Sequence, residues 1–194
     1  MLLHTCRFFL VAVCLSFFCS TVSYGQSNPD FRSVNWGASK DEVKSTEVNK
    51  KIIFENDNTF VVSDILDGLE VEVVYLFVNN KLVRTKYTIT EKYSNPDAYI
   101  VKYNALYGLL SSKYGKGKQT SLVPDQYKRN NSNLGVGVGI GKVKFLSEWE
   151  KPKSRISLVL MGNNFDVVLG IEYASIELAP LEAEMHKNKT LEKL

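Results

Sequence analysis

The chain has 194 residues, 44% of them hydrophobic, and its 24 Lys and Arg against 21 Asp and Glu leave a formal charge of +3. So small an imbalance, with the lysines scattered along the chain, gives no footprint for nucleic acid or for strong attraction to a membrane surface. Three cysteines and two histidines leave little material for thiolate, histidine or metal chemistry.

The N-terminus places Arg7 before an apolar run from Phe8 to Phe18, followed by polar residues with small side chains at Ser23 and Gly25. That order is a secretory signal peptide, with cleavage expected after Gly25. The run is shorter than the roughly 20 apolar residues a membrane-crossing helix needs. Cys14 follows Val13 and Cys19 follows Phe18, so neither cysteine has the small preceding residue of a lipoprotein signal. Cleavage would remove Cys6, Cys14, Cys19 and His4, leaving His186 as the remaining histidine. The exported chain would then fold without disulfides, on its core alone, and a chain near 150 residues buries roughly 70% of its unfolded surface. The reading is a signal peptide over residues 1–25, a single α+β domain over 26–179 and a charged tail over 180–194.

After a polar lead-in, Ser39 and Glu42 form a capping-box pair, and Asp41 and Glu42 suit the positive end of a helix dipole. A short helix is expected over 40–48, with Trp36 and Val43 packed on a sheet behind it. Four strand-like runs follow: "KIIFEN", "TFVVSDIL", "LEVEVVYLFV" and "KLVRTKYTIT", rich in β-branched and aromatic residues. The last two flank Asn79-Asn80, whose tolerance of positive φ predicts a tight hairpin. With a two-residue loop Tyr75 would face Arg84, and Val73 would face Lys86.

From Pro96 the apolar spacing Tyr99, Tyr103, Leu106, Leu110, Tyr114 is one face of a helix, closed by Gly115 and Gly117. That spacing favours core packing over an aromatic binding stripe. A short strand "KQTSLV" and a polar loop come next, then strands over "GVGVGIGKVKFLSEWE", "RISLVLM" and "DVVLGIEYASIEL". Two helix-then-strands halves, about 31–91 and 94–178, read as a pseudo-duplicated domain: antiparallel sheet with helices on one face. The tail after Pro180 reads as a loosely held helix or as disorder.

The run "NLGVGVGIGK" (133–142) raises phosphate binding and fails it. A P-loop ending at Gly141-Lys142 needs glycine at 136, which is Val136, and a hydroxyl after Lys142, which is Val143. A dinucleotide fingerprint would need glycine at Ile140 or at Lys142. The period is two, so a strand is expected, with Val136, Val138 and Ile140 on one side and a glycine side open to close approach. No cofactor motif is present. Glu148 and Glu150 flank Trp149 like a glycan-hydrolysing pair, but they sit on one segment, followed by Lys151-Pro152-Lys153, and read as a solvated edge. Asp64, Asp67, Glu70 and Glu72 lack the order of a calcium loop. The candidate partner surface is the hairpin side carrying Val73, Tyr75 and Phe77 beside Arg84 and Lys86, where rings next to cations would make contact surface if that side faced outward. Snorkelling of the two cations over ordinary sheet surface is the alternative.

The stretch "FRSVNWGASKDEVKSTE" (31–47), followed by Tyr75, Phe77, Lys81, Leu82 and Tyr87 and by the helix-ending Tyr114-Gly115, resembles small uncharacterised exported bacterial proteins with a Trp-Gly-helix start. Their two-part α+β layout is similar to the β-lactamase-inhibitor-protein type of fold, also seen in small outer-membrane assembly lipoproteins. The likeness spans about 31–173 and implies fold, not catalytic residues. The sequence thus predicts a secreted or periplasmic, non-enzymatic binding or scaffold module of the bacterial envelope. It would have no cofactor, no nucleic-acid partner and no membrane span after cleavage, with a protein as candidate partner. The alternatives are a carrier of an apolar ligand or a carboxylate-based glycan hydrolase.

Overall fold

The computed structural model describes residues 28–128 and 133–194. The signal-peptide reading falls on residues 1–25, outside the described residues. In chain order the elements are α1 (Lys40–Thr46), β1 (Ile52–Asn56), β2 (Thr59–Leu66), β3 (Leu69–Val78), β4 (Lys81–Ile89), α2 (Asp97–Tyr114), β5 (Lys118–Leu122), α3 (Asp125–Lys128), α4 (Leu134–Gly139), β6 (Lys144–Glu150), β7 (Ser154–Asn163), β8 (Asp166–Ser175) and α5 (Ala179–Leu191). The fold is α+β. The eight strands form one antiparallel sheet in the order β1-β2-β3-β4-β8-β7-β6-β5.

Local chemistry explains the turns. Ser39 and Glu42 make the reciprocal capping box at α1, which satisfies two amides that the first helical turn leaves free. Asn79 and Asn80 adopt φ of 50° and 57°, the left-handed geometry of a two-residue hairpin. The β7–β8 turn places Asn164 and Phe165 at φ of 48° and 63°, with Asn163 opposite Asp166. The α2 N-terminus has no side-chain cap on Pro96; Asn95 Oδ1 instead accepts from the Asp97 amide at 3.0 Å.

Side-chain alternation carries the core across the whole sheet. One row runs Ser147, Leu158, Ile171, Tyr87, Val73, Val62, and the next runs Trp149, Ile156, Tyr173, Thr85, Tyr75, Phe60. Most of these side chains are buried. Val43 of α1 joins the same core, and the Tyr75 hydroxyl donates to Glu47 at the end of α1. On α2, the Tyr103 hydroxyl meets Ser147 Oγ at 2.6 Å, and the Tyr107 ring packs 5.7 Å from Trp149. The alternate positions, Glu148, Ser157, Glu172 and Lys86, form a more polar face. There Arg84 binds Glu182 of α5 through two bonds of 2.8 Å and also pairs with Glu172. The tail is therefore helical over Ala179–Leu191 and tied to the sheet, with Glu182 itself buried.

Two sequence expectations are corrected. The glycine run is a helix, α4, rather than a strand. A β-carbon on Gly135 would lie 2.4 Å from both the Asp97 amide nitrogen and the Pro96 carbonyl carbon; one on Gly137 would lie 2.6 Å from Val143, and one on Gly139 2.7 Å from the Phe165 ring. The close approach that glycine permits is real, but it serves helix packing on three sides. Gly141, at φ 78°, ends the helix in the left-handed geometry that favours glycine.

The second correction concerns hairpin register. A bulge between Leu76 and Phe77 pairs Leu76 with Arg84 and Phe77 with Leu82, leaving Val83 as the extra residue. Tyr75 then faces Thr85, and Val73 faces Tyr87. A one-residue slip moves a strand's side chains to the other face.

Candidate ligand-binding cleft

That slip dismantles the surface expected from the sequence. Val73, Tyr75 and Phe77 are at most 1% exposed, inside the core. Arg84 and Lys86 lie on the opposite face, paired with Glu172 and, for Arg84, Glu182. The five residues do not form a common outward surface. Glu148 and Glu150 lie on the face opposite Trp149. Trp149 is buried, and its indole N–H donates to the Gly115 carbonyl at 2.7 Å. Trp36 is a structural anchor whose indole N–H donates to Ser154 Oγ at 2.8 Å. Asp64 is held by Arg32 at 2.7 Å and Lys50 at 2.5 Å. Among the described residues no group of three or more His, Cys, Asp or Glu side chains converges as metal ligands would.

A concavity lies on the other side, over the seam where β4 meets β8. It is a cleft of about 930 Å³. Tyr87 of β4, Tyr173 of β8, Ile156 of β7 and Tyr114 at the end of α2 line it from the sheet and helix side. The segment Asn28–Arg32 crosses as a strap and supplies Phe31. Phe31 and Val34 exchange two backbone hydrogen bonds of 3.0 and 2.9 Å, which curls the strap so that the Phe31 ring plugs the seam. Its centroid lies 5.3 Å from Tyr87, 5.0 Å from Tyr173 and 5.8 Å from Tyr75. The strap is fixed further by the Trp36 amide on Asp30 at 3.0 Å and by the Gly37 amide on the Leu82 carbonyl at 2.9 Å.

Cations dominate the rim. Arg32, Lys113, Lys151 and Lys153 line the cleft, against a single carboxylate, Asp30. Asp30 already accepts from the Trp36 amide and sits 3.9 Å from Lys153. Lys113 and Lys151 approach the Tyr114 ring, their ammonium nitrogens 5.1 and 5.7 Å from its centroid, within the range of cation–π attraction. Lys151 also donates to the Tyr114 carbonyl at 2.6 Å. Arg32 is held from behind by Asp64 and Glu47.

The phenols stay neutral. Burial pushes Tyr87 up to about 12, with Asp64 and Glu47 adding to it against the opposing pull of Arg32. Burial likewise raises Tyr173, with Tyr114 close by adding to the effect. The cleft therefore has a largely buried aromatic base, Phe31 packed on Tyr87 and Tyr173, beneath the ammonium groups of its rim. Its lining carries one carboxylate and neither histidine nor cysteine.

Sequence reasoning missed Arg32, Tyr87, Tyr114, Tyr173 and the Lys151–Lys153 pair as parts of one site. The available signals were a tyrosine near the end of the last strand in each half and the Lys-Pro-Lys step after Trp149. What joins them is the β4–β8 pairing, which brings residues 87 and 173 onto adjacent strands. Comparison with family models, curated proteins and solved structures gave no match to this chain.

Proposed function

We propose that the protein is an exported, non-enzymatic binding module of the bacterial cell envelope that captures its ligand in the cleft over the β4–β8 seam. The observation that carries this reading is the convergence of Phe31, Tyr87, Tyr114 and Tyr173 beneath a rim of Arg32, Lys113, Lys151 and Lys153. Its size lies within the ~300–1,000 Å³ typical of small-ligand sites. Export rests on the signal-like N-terminus, and the secreted or periplasmic location follows from it. No helix among the described residues is long and apolar enough to cross a membrane.

The architecture is read as pseudo-duplicated, akin to the two-part layout of the β-lactamase-inhibitor-protein type. The first half runs helix, then four strands; the second runs α2, β5, the short helices α3 and α4, then β6 to β8; the closing strands β4 and β8 pair with each other in the middle of the sheet. α1 and α2 serve one face of it. The cleft falls at the junction of the halves, with the end of α2 at its edge. Binding in preference to turnover rests on the lone carboxylate of the lining; Glu148 and Glu150 are not part of it.

The test is native mass spectrometry of protein isolated without detergent from the envelope fraction, compared with a Tyr114→Ala variant. A small molecule that accompanies the native protein and is lost from the variant supports the reading. A ligand held equally by both removes the cleft from consideration. Turnover of a glycan panel that vanishes on changing Glu148 or Glu150 would favour a hydrolase instead.

A further inference from the structure

We propose that the tip of the β7–β8 hairpin, with α4 beside it, is a contact surface that seats on a lipid bilayer bearing anionic headgroups. At its apex stands a residue that the turn chemistry does not select. Asn164 and Phe165 both adopt positive φ, 48° and 63°, the geometry for which asparagine and glycine are the favoured pair. A bulky side chain in that region is an outlier. Burial does not offset it, because Phe165 is 59% exposed. Its amide donates to the Gly139 carbonyl at 2.8 Å, and the missing β-carbon of Gly139 leaves room for one edge of the ring; the rest faces outward.

Four more apolar side chains gather at the same end. Val136 and Ile140 lie four residues apart on one face of α4, on either side of Gly139 in sequence. Met161 and Val168 oppose each other on the ladder, two pairs behind the closing Asn163–Asp166 pair. All four are 39–42% exposed. A β-carbon on Gly162 would meet Val138 O of α4 at 2.6 Å, so α4 covers one face of the hairpin, and Met161 and Val168 belong to the other. The hairpin end is therefore apolar on both faces. Cations edge it. Lys142 follows α4, and Lys144 opens β6 beside Met161 in the β6–β7 ladder. Both are exposed, and neither has a carboxylate partner among the described residues. The acid of the turn, Asp166, is paired with Lys92 at 3.1 Å. Two uncompensated cations thus flank the apolar end, although the charge excess of the whole chain is small.

Size and shape decide the occupant. Five partly exposed side chains fall short of the ~800 Å² per partner of a standard protein interface, and they gather at a turn rather than in a groove. A bilayer needs no matching contour. Its grip grows with the apolar area inserted and with the attraction of lysines to anionic lipid. The cleft reaches β7 at Ser154, the other end of that strand, about 30 Å away at ~3.3 Å per residue. A seated tip leaves it clear of the lipid.

The experiment is cosedimentation with vesicles of phosphatidylcholine, alone or in equal parts with phosphatidylglycerol. The parent, Phe165→Gly and Lys142→Gln/Lys144→Gln are compared, all with the same N-terminus, and each is also melted thermally. The parent is expected to bind the mixed vesicles about tenfold or more tightly than the neutral ones, and the double lysine variant to bind both alike. Phe165→Gly is expected to weaken binding to the mixed vesicles about tenfold without lowering the melting temperature, since glycine relaxes the turn. Should it melt early, Met161→Gln on the other face carries the same expectation. A parent that binds neither vesicle, or binding that these apolar substitutions leave unchanged, overturns the proposal. A parent that stays off vesicles but forms a dimer dispersed by Phe165→Gly assigns the tip to a second copy of the chain and overturns it too.

Discussion

Replacing Gly135 by alanine sets two effects of opposite sign against each other. Alanine is favoured over glycine inside a helix by about 1 kcal/mol. At Gly135, however, the new β-carbon would sit 2.4 Å from Asp97 N and Pro96 C, and 2.6 Å from Asp97 Oδ1. Two of these atoms are backbone at the start of α2, so α4 as a whole must retreat. Retreat also weakens the bond from the Gly135 amide to Asp97 Oδ1, now 2.7 Å. Overpacking costs ~1–3 kcal/mol, and a hydrogen bond to a charged group contributes ~1.5–3 kcal/mol. Set against the propensity gain, the net loss is about 1.5–5 kcal/mol, or a Tm lower by about 3–20 °C at this chain length. The matched control is Gly108→Ala on α2, where nothing lies within 4 Å of the added carbon; there propensity acts alone and stability rises by up to about 1 kcal/mol. Urea and thermal melts followed by circular dichroism measure both. A Gly135→Ala protein as stable as the parent would refute the packing of α4 against α2.

Four further outcomes follow from the same geometry. Tyr75→Phe takes away the hydroxyl donor of buried Glu47 and should lower stability by about 1–3 kcal/mol in urea melts, whereas Tyr107→Phe, whose 3.4 Å contact to the Gly117 carbonyl is long, should cost little. Arg84→Ala unties Glu182 and should make α5 the first segment cut in limited proteolysis, with the sheet's circular dichroism unchanged. Acid titration should reveal Asp64: burial works against its charge, but bonds from Lys50, the Ile65 amide and Arg32 outweigh it and hold its carboxyl below the usual range. The stability it contributes is therefore present above its unfolded value, ~3.9, and is lost as pH falls through the folded one; Asp64→Asn should flatten that part of the stability–pH curve. At the alkaline end, Tyr75, Tyr87 and Tyr173 all titrate above their usual value, burial first among the causes, so the contribution of neutral phenols is complete below ~10 and disappears at higher pH. Spectrophotometric tyrosine titration should find the most resistant phenols ionising together with unfolding.

The sequence made the element order legible where chemistry is local. Ser39-x-x-Glu42, Asn79-Asn80 and the Tyr99–Tyr114 periodicity each point to structure within a few residues, and each matches what the fold contains. Failures arose where a distant partner decides. The period-two glycines suggested a strand, yet the neighbours that need the space are Pro96, Asp97, Tyr127, Val143 and Phe165, most of them far along the chain. The single bulge at Val83 sent Arg84 and Lys86 to the face opposite Tyr75, and nothing in "KLVRTKYTIT" marks it. The cleft needed the β4–β8 ladder, a pairing between residues more than eighty apart in the chain. Strand alternation then explains why Tyr87 and Tyr173 end on the same side, but only after the ladder is known.

The placement of β8 bears on how the chain can be assembled. It follows the other seven strands in the chain, yet it lies between β4 and β7, bonded to both. Until it arrives, each neighbour presents an open margin of unpaired amides and carbonyls, the condition that invites pairing with other chains. On the export route proposed above, the two meanders can zip up in turn, but they cannot unite until β8 is delivered. Any product stopping short of residue 166 would be two unjoined half-sheets.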